Sequence, residues 1–543
     1  MKIYANLKIL IPYIKKSKIY LVLGLAETIF VSAIVAPVPY LIGKVLDILL
    51  INNITFSDIK GILLSILTIY VVKFLLNISY QYFFARLQQN IVNEIRMDIV
   101  ERLIDAPLSF INKREKGYIL ARIGEVQQIG AIFSPTIITS LVSIFEIIFC
   151  FAMMVCINVK LTLIAVIIVP GYFAISKAIS KKITKNTILV QENIANLNAD
   201  MFETLNGIEE VKLLNGKQTQ LNKIFLKIKM VIKSSIKQSL SMVAFIQSIS
   251  FVSDLVNLGV LALAGVFIIS GEITVGVYTA FSIYINKILG VTQSVGTFEI
   301  TIKPVCATIE RVKELLFADL ETRKDAGTLK ENISEIFFED VSFGYKSNKV
   351  FINKITYRFS EGDRVLLLGG NGSGKTTFIK LLVGLYEPVE GNIFINGENM
   401  RKLNKEDIRK KVGIVSQDIF LFKGSVLDNI LFGVDGKNRK DVENLLEKFE
   451  LKDYINHLPN GLDTEIAQNG TGISGGQTQI IAFIRAIIKE KDILILDEAT
   501  SNLDQDTCKR IISILSENEL YKMLFIISHQ NYEYTFVNKT IKF

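Results

Sequence analysis

The chain has 543 residues, 50% of them hydrophobic, with a formal net charge of +8 and a mean hydropathy of +0.39. That is too apolar for a soluble enzyme, and by length it should hold about three to four domain-sized units. Four cysteines, Cys150, Cys156, Cys306 and Cys508, show neither metal-ligand spacing nor disulfide density and read as packing residues.

The long apolar runs lie before residue 305, and the rest has soluble composition. At the start, Leu7, Leu10, Ile11 and Ile14 share a helical face ringed by Lys8, Lys15, Lys16 and Lys18. This is a short amphipathic helix suited to an anionic membrane surface, or equally a helix end packed on protein. Six stretches then have the roughly 20-residue length that crosses a bilayer, near Ile19–Ile42, Ile59–Phe84, Ile137–Ile157, Leu161–Ile179, Met242–Ile269 and Val275–Val295. The connections 43–58, 158–160 and 270–274 are short and poor in basic residues. Those at 85–136 and 180–241 are long and basic, with Arg86, Arg96, Arg102, Lys212, Lys217 and Lys223 among their cations. The positive-inside rule puts these two connections and both ends of the region in the cytoplasm. The charge excess is therefore topological, and no nucleic-acid partner is expected. Both connections keep a helical apolar period, as at Ile91, Ile95, Ile99 and Leu103. The membrane helices should extend into the cytosol as rods, with Gly117 and Gly207 as breaks for short crosswise helices at the tips.

Polar residues recur inside the spans at helical spacing. Gln247, Ser250, Asp254 and Asn257 share a face of the fifth, with Phe245 and Phe251 on adjoining faces. Thr279, Ser282, Asn286 and Gln293 do so on the sixth, beside Lys287, and Lys73, Asn77 and Gln81 on the second. Such groups are costly in a bilayer and should face water or the bundle interior. They line a hydrated translocation cavity, or they hold helices together. Glu27 and Glu146 are charges whose partners the sequence does not name.

After a polar connector the pattern becomes α/β. Ile336, Phe338, Val341 and Phe343 read as a strand with one slip in its alternation, followed by Tyr345. Tyr345 lies 24 residues before Gly369 and reads as an adenine platform, against the alternative of a core tyrosine. The stretch VLLLGGNGSGKTT, Val365 to Thr377, runs from strand to apolar helix and matches G-x-x-x-x-G-K-[ST] in its required setting. Glycines without Cβ let the backbone wrap a polyphosphate, and the helix N-terminus offers free N–H groups. Lys375 should reach the β- and γ-phosphates of ATP, and Thr376 should ligate Mg²⁺. Further on come Gln417 after a strand, ISGGQ (Ile473–Gln477) opening a helix, ILILDEAT ending at Thr500, SNLD at 501–504, and ISH ending a strand at His529. A strand-end Asp-Glu pair or a lone histidine is more often structural than catalytic. Six such features in this order leave chance no room.

These motifs, in this order, resemble the ATP-binding cassette exporters of the half-transporter kind. The likeness spans the whole chain and extends to SVLDNILFG at 425–433, APLSF at 106–110, GIEEVK at 207–212, ATIERV at 307–312 and GEITVG at 271–276. It implies a helical membrane domain (1–312), a linker (313–331) and an α/β P-loop ATPase domain with a helical subdomain (332–543). It also implies that Tyr345 stacks on adenine. Gly369, Gly370, Asn371, Gly372, Ser373, Gly374, Lys375, Thr376 and Thr377 would cradle the phosphates. Thr376, Gln417 and Asp497 would hold Mg²⁺, Glu498 would activate the attacking water and His529 would contact the γ-phosphate. Ser474, Gly475, Gly476 and Gln477 would act on ATP held by a second subunit, a copy of this chain or a paralogous half-transporter.

There are departures. Ile473 replaces a leucine, and Thr478-Gln479-Ile480 stands where a more basic triplet is usual. Ala467-Gln468-Asn469-Gly470 lacks the glutamate and arginine that touch the membrane domain, which puts coupling in doubt more than hydrolysis. Only fourteen residues follow His529, and no peptidase domain precedes the spans, so the chain is not expected to trim its own cargo. Expected is an ATP-hydrolysing exporter of the bacterial cytoplasmic membrane, moving a peptide or other amphiphile outward as a homodimer. The alternatives are a drug or lipid exporter, or an ATP-gated channel or regulatory membrane ATPase.

Overall fold

The computed structural model describes residues 8–50, 55–114, 116–322, 326–345, 351–467, 472–489, 491–500, 503–516, 520–528 and 534–543. The chain forms two compact units, Met1–Ile104 with Arg114–Ala318, and Asp105–Lys113 with Asp319–Phe543.

The first unit is helical. After α1 (Ile11–Lys16), the first span comes in two pieces, α2 (Lys18–Val35) and α3 (Val38–Leu49). Pro37 separates them, since proline has no N–H to donate and its ring crowds the preceding turn. The carbonyl of Ala36 beside the break accepts a 2.7 Å hydrogen bond from the buried Tyr284 hydroxyl, which lipid could not supply. The next helices are α4 (Phe56–Ile104), α5 (Leu108–Asn112, part of the second unit), α6 (Lys116–Gly130), α7 (Pro135–Ile157), α8 (Val159–Asn206), α9 (Ile208–Leu213), α10 (Lys217–Ile269) and α11 (Val275–Leu316). At ~1.5 Å per residue, α4, α8, α10 and α11 run about 60–80 Å, roughly twice the ~30 Å hydrocarbon layer. The expected cytosolic rods are present, and all six stretches expected to span fall within these helices. Among the described residues, Lys18–Leu49, Phe56–Ile104 and Lys217–Ile269 meet the length and hydropathy of a span outright, while α7 and α11 carry the shorter apolar runs Val142–Ile157 and Val275–Val291.

Gly207 does end a rod, capping α9. Gly117 does not. It lies inside α6, where a Cβ would come within 2.5 Å of the Phe202 ring, so its role is close helix packing. The first crosswise helix, α5, comes earlier, started by Pro107 with ψ 140°. The intramembrane carboxylates also find partners, although Glu27 Oε2 stays bare. Glu146 pairs with Lys287 at 3.5 Å, and Glu27 accepts a 3.0 Å hydrogen bond from Ser79. Gln247, Ser250 and Asp254 are exposed on one face of α10, but Phe245 is fully buried in the helical core and cannot meet cargo. Asn257 donates to Asn286 at 2.8 Å, joining the polar faces of the fifth and sixth spans.

The second unit layers two sheets. Strands β1 (Glu335–Phe343), β2 (Ile352–Ser360), β4 (Glu390–Ile395) and β5 (Glu398–Asn399) form an antiparallel sheet in the order β2-β1-β4-β5. The slip read in the sequence is a bulge in β1 between Phe338 and Val341, where Asp340 has φ +47°, and the four apolar residues all stay buried. A parallel sheet in the order β11-β3-β10-β9-β6 joins β3 (Arg364–Leu368), β6 (Val412–Val415), β9 (Lys491–Asp497), β10 (Tyr521–Ile527) and β11 (Lys539–Lys542), while β7 (Gly424–Ser425) and β8 (Glu465–Ile466) pair with each other. Between the sheets, α12 (Lys375–Leu382) inserts Phe378, which stacks on Phe338 at 4.8 Å within a core that also holds Phe359 and Phe525. The short α13 (Lys405–Lys410) adds Ile408 to that core. A separate core unites α14 (Val426–Ile430), α15 (Arg439–Lys448), α16 (Lys452–Asn456), α17 (Gly475–Ile487) and α18 (Gln505–Ser516). Segment Asp105–Lys113 packs on this unit: Glu321 donates its N–H to the Asp105 carbonyl (2.7 Å) and Asn112 donates to the Tyr386 hydroxyl (3.0 Å).

Candidate functional site

Parallel register makes one edge of the sheet reactive. Leu367 pairs with Ile527, Ile527 with Asp497, and Leu496 with Val415. The chain therefore leaves β3, β10, β9 and β6 along a common line, the carboxyl edge where open α/β sheets bind ligands.

The loop after β3 begins at Gly369, where a Cβ would sit 2.5 Å from the Ser373 hydroxyl and 3.0 Å from the Phe543 carbonyl. It ends at Gly374, which caps α12 with φ +114°, a conformation that a side chain disfavours. Gly370, Asn371 and Gly372 form its exposed crest. Lys375 is buried and donates from Nζ to the carbonyls of Gly369 (2.8 Å) and Gly370 (3.0 Å), which curls the loop around its ammonium. Thr376 donates to Asp497 Oδ2 at 3.1 Å. Thr377 is 2.7 Å from the Tyr345 hydroxyl. Tyr345 is 51% exposed, with its ring edge-on to Phe343, Phe351 and Tyr386, so it is no core tyrosine.

Asp497 is 3% exposed, and burial pushes its carboxyl above the usual carboxylate range, helped by neighbouring Glu498. Its Oδ1 and the Ser373 hydroxyl are buried without a hydrogen-bond partner. A buried carboxylate oxygen left bare costs stability unless a ligand uses it. With the Thr376 hydroxyl beside it and Gln417 exposed just past β6, the donors are hard oxygens. They suit Mg²⁺, which takes one or two carboxylates and substrate phosphates rather than a full protein cage. Glu498 follows in the left-handed region, φ +55°. Such a backbone persists only where its surroundings fix it, and it clusters at functional sites. Two bonds fix it here: the Glu498 N–H donates to the Ile527 carbonyl (3.0 Å), and Gln479 Nε2 donates to the Glu498 carbonyl (3.4 Å).

Gln479 joins the site without a local sequence signal, because its buried place on α17 is set by packing. Ser474 caps α17 in a reciprocal box, accepting from Gln477 N–H (3.3 Å) while Gln477 Oε1 accepts from Ser474 N–H (3.0 Å). Ser474 and Gly475 are exposed, and the hydroxyl proton stays available to an outside acceptor. These hydrogen bonds tie Ser474 to its own helix, whose core is not the one that holds the P-loop helix. His529, Gln468 and Asn469 lie outside the described residues.

A P-loop opening a buried helix, a strand-end Asp-Glu pair and a capped SGGQ helix, fused to bilayer-length rods, define a membrane-embedded ATP-binding cassette protein. The family model described as ABC transporter transmembrane region matches residues 21–292, and that described as ABC transporter matches 352–501. The chain belongs to the ABC transporters, as a half-transporter of the exporter kind with its ATPase domain in the cytoplasm. It is 29% identical to the uncharacterized ABC transporter ATP-binding protein YfiC of Bacillus subtilis, over 91% of this chain and 82% of that one. It is 27% identical to the ATP-dependent lipid A-core flippase of Desulfotalea psychrophila (96% and 91% covered) and 25% to the transport/processing ATP-binding protein ComA of Streptococcus pneumoniae (96% and 72%). Its fold is that of a bacterial Atm1-family ABC exporter with ATP bound: TM-score 0.82, 22% identity, 93% and 91% covered.

Proposed function

We propose that two copies of this chain form a homodimer with two composite ATP sites, and that hydrolysis there drives outward transport of a peptide. The observation that carries the chemistry is Glu498, held left-handed directly after Asp497, whose Oδ1 is bare and whose Oδ2 accepts from Thr376 at the start of the P-loop helix. In this reading Glu498 takes the proton of the attacking water, with His529 on the γ-phosphate. Lys375 exchanges its loop carbonyls for phosphate oxygens, and Tyr345 carries the adenine. Gly369 through Thr377 cradle the phosphates, and Thr376, Asp497 and Gln417 would hold Mg²⁺, which neutralises phosphate charge. Ser474, Gly475, Gly476 and Gln477 present the start of α17 to ATP on the other subunit, because one P-loop cannot surround a γ-phosphate alone.

The peptide assignment is supported by the exposed polar face Gln247, Ser250 and Asp254, with Phe251 at 63% exposure beside it. Backbone amides of an extended cargo can exchange water for such partners. A positioned general base contributes ~10²–10⁴-fold, so Glu498→Gln should lower ATP turnover by that factor while ATP still binds. Near-normal turnover would remove Glu498 from its role.

A further inference from the structure

We propose that a cavity of about 150 Å³ walled by α2, α4 and α7 is a subsite for a carboxylate of the exported compound, with Lys73 as its anchor. The link to cargo rests on the exporter reading; the anion chemistry rests on the cavity itself. Its wall carries Thr28 and Ser32 from α2, Lys73, Asn77 and Tyr80 from α4, and Ser143 and Glu146 from α7. Lys73 lies near the middle of the second span, where a charge is costly and marks a substrate path by default.

The charges around the cavity are not equally committed. Glu146 is paired with Lys287 at 3.5 Å. Glu27, one residue before the wall residue Thr28, accepts from Ser79 at 3.0 Å and keeps Oε2 buried and bare, but it is not part of the wall. Lys73 has no hydrogen bond or ion pair among the described residues, so the uncommitted charge on the wall is an ammonium. Asn77 and Tyr80 follow it at i+4 and i+7 on the same helix face and can donate to the same anion. At ~30 Å³ of liquid volume per water, the space equals about five waters. It suits a carboxylate with a few carbons, such as a chain terminus or an acidic side chain, and not a whole peptide.

The test uses the full chain in phosphatidylcholine nanodiscs. A thiol is placed on the wall by Ser32→Cys, with Cys156→Ser removing the one exposed native cysteine. Methanethiosulfonate reagents carrying a sulfonate or a trimethylammonium group report the local charge, with 2-mercaptoethanol as the reference thiol. The sulfonate reagent should react preferentially, by about tenfold, the factor that ~1.4 kcal/mol produces. Lys73→Gln should abolish the preference and Lys73→Arg retain it, with basal ATP hydrolysis unchanged in both as the check on assembly. N-acetylalanine should protect the thiol, and N-acetylalaninamide should not. No sulfonate preference, a preference that survives Lys73→Gln, or equal protection by the amide would each overturn the proposal. Protection by N-acetylalanine without peptide export in sealed vesicles leaves the carboxylate subsite standing and removes the peptide assignment alone.

Discussion

Asp497→Asn should stabilise the nucleotide-free protein while abolishing ATP turnover. The native carboxylate is buried, and its Oδ1 has no partner. A bare buried acceptor costs ~1–3 kcal/mol, more when charged. Asparagine keeps the acceptor for the Thr376 hydroxyl; its amide nitrogen takes the bare position, so the gain comes from removing the buried charge. The sign follows from the raised pKa. Above the ordinary value of 3.8 the native state holds its proton longer than the unfolded chain does, so wild-type stability falls as pH rises through that window. The variant escapes this loss, and its advantage should be absent near pH 3 and full once the native carboxyl has ionised. A gain of ~1–3 kcal/mol corresponds to about 2–4 °C in Tm for each kcal/mol in a domain of this size. Thermal unfolding of the full chain in nanodiscs with chelator measures it. Mg-ATP at about 100 times its Kd should then stabilise the wild type by ~2.7 kcal/mol and the variant far less. If Asp497→Asn lowers Tm without nucleotide, the carboxylate is serving the fold and is not held in reserve for a ligand.

Gly276→Ala should destabilise the helical unit by ~1–3 kcal/mol, because its Cβ would meet the Gly43 carbonyl at 2.1 Å and Asp47 at 2.5 Å. Gly61→Ala, with open space around it, should instead be neutral or gain up to ~1 kcal/mol of helix propensity; equal Tm values for the two variants would contradict the packing. Dimers mixing Ser474→Arg with Lys375→Ala subunits should hydrolyse ATP faster than either pure mutant dimer, since both lesions fall in one composite site. A crosslink placing two P-loops face to face would refute that arrangement. Asp254→Ala should change cargo-stimulated ATP hydrolysis and leave the basal rate alone; parallel loss of both would make Asp254 a packing residue.

The local features were legible in the sequence for a local reason. A glycine-rich turn between strand and helix, a serine capping its own helix and an apolar period of a rod are settled by residues a few positions apart. The P-loop, the capped SGGQ helix and the six spans therefore read directly. So did the slip in β1, which the bulge at Asp340 explains. The order of the motifs also placed Asp497 and Glu498 at a strand end, and parallel pairing then made that end an edge of the sheet.

Tertiary structure alone decided the partnerships. Glu146 meets Lys287 across 141 residues, Tyr284 reaches the Ala36 carbonyl, and Phe202 rather than a turn explains Gly117. Phe245 turned inward although it neighbours a polar face, because helix packing and not spacing selects which flank is buried. The left-handed Glu498 and the Gln479 bond that steadies it were invisible for the same reason. A sequence records which groups must be satisfied, since bare charges and carbonyls are costly in an apolar interior. Which distant residue satisfies them is fixed only when the chain brings the two within hydrogen-bond reach.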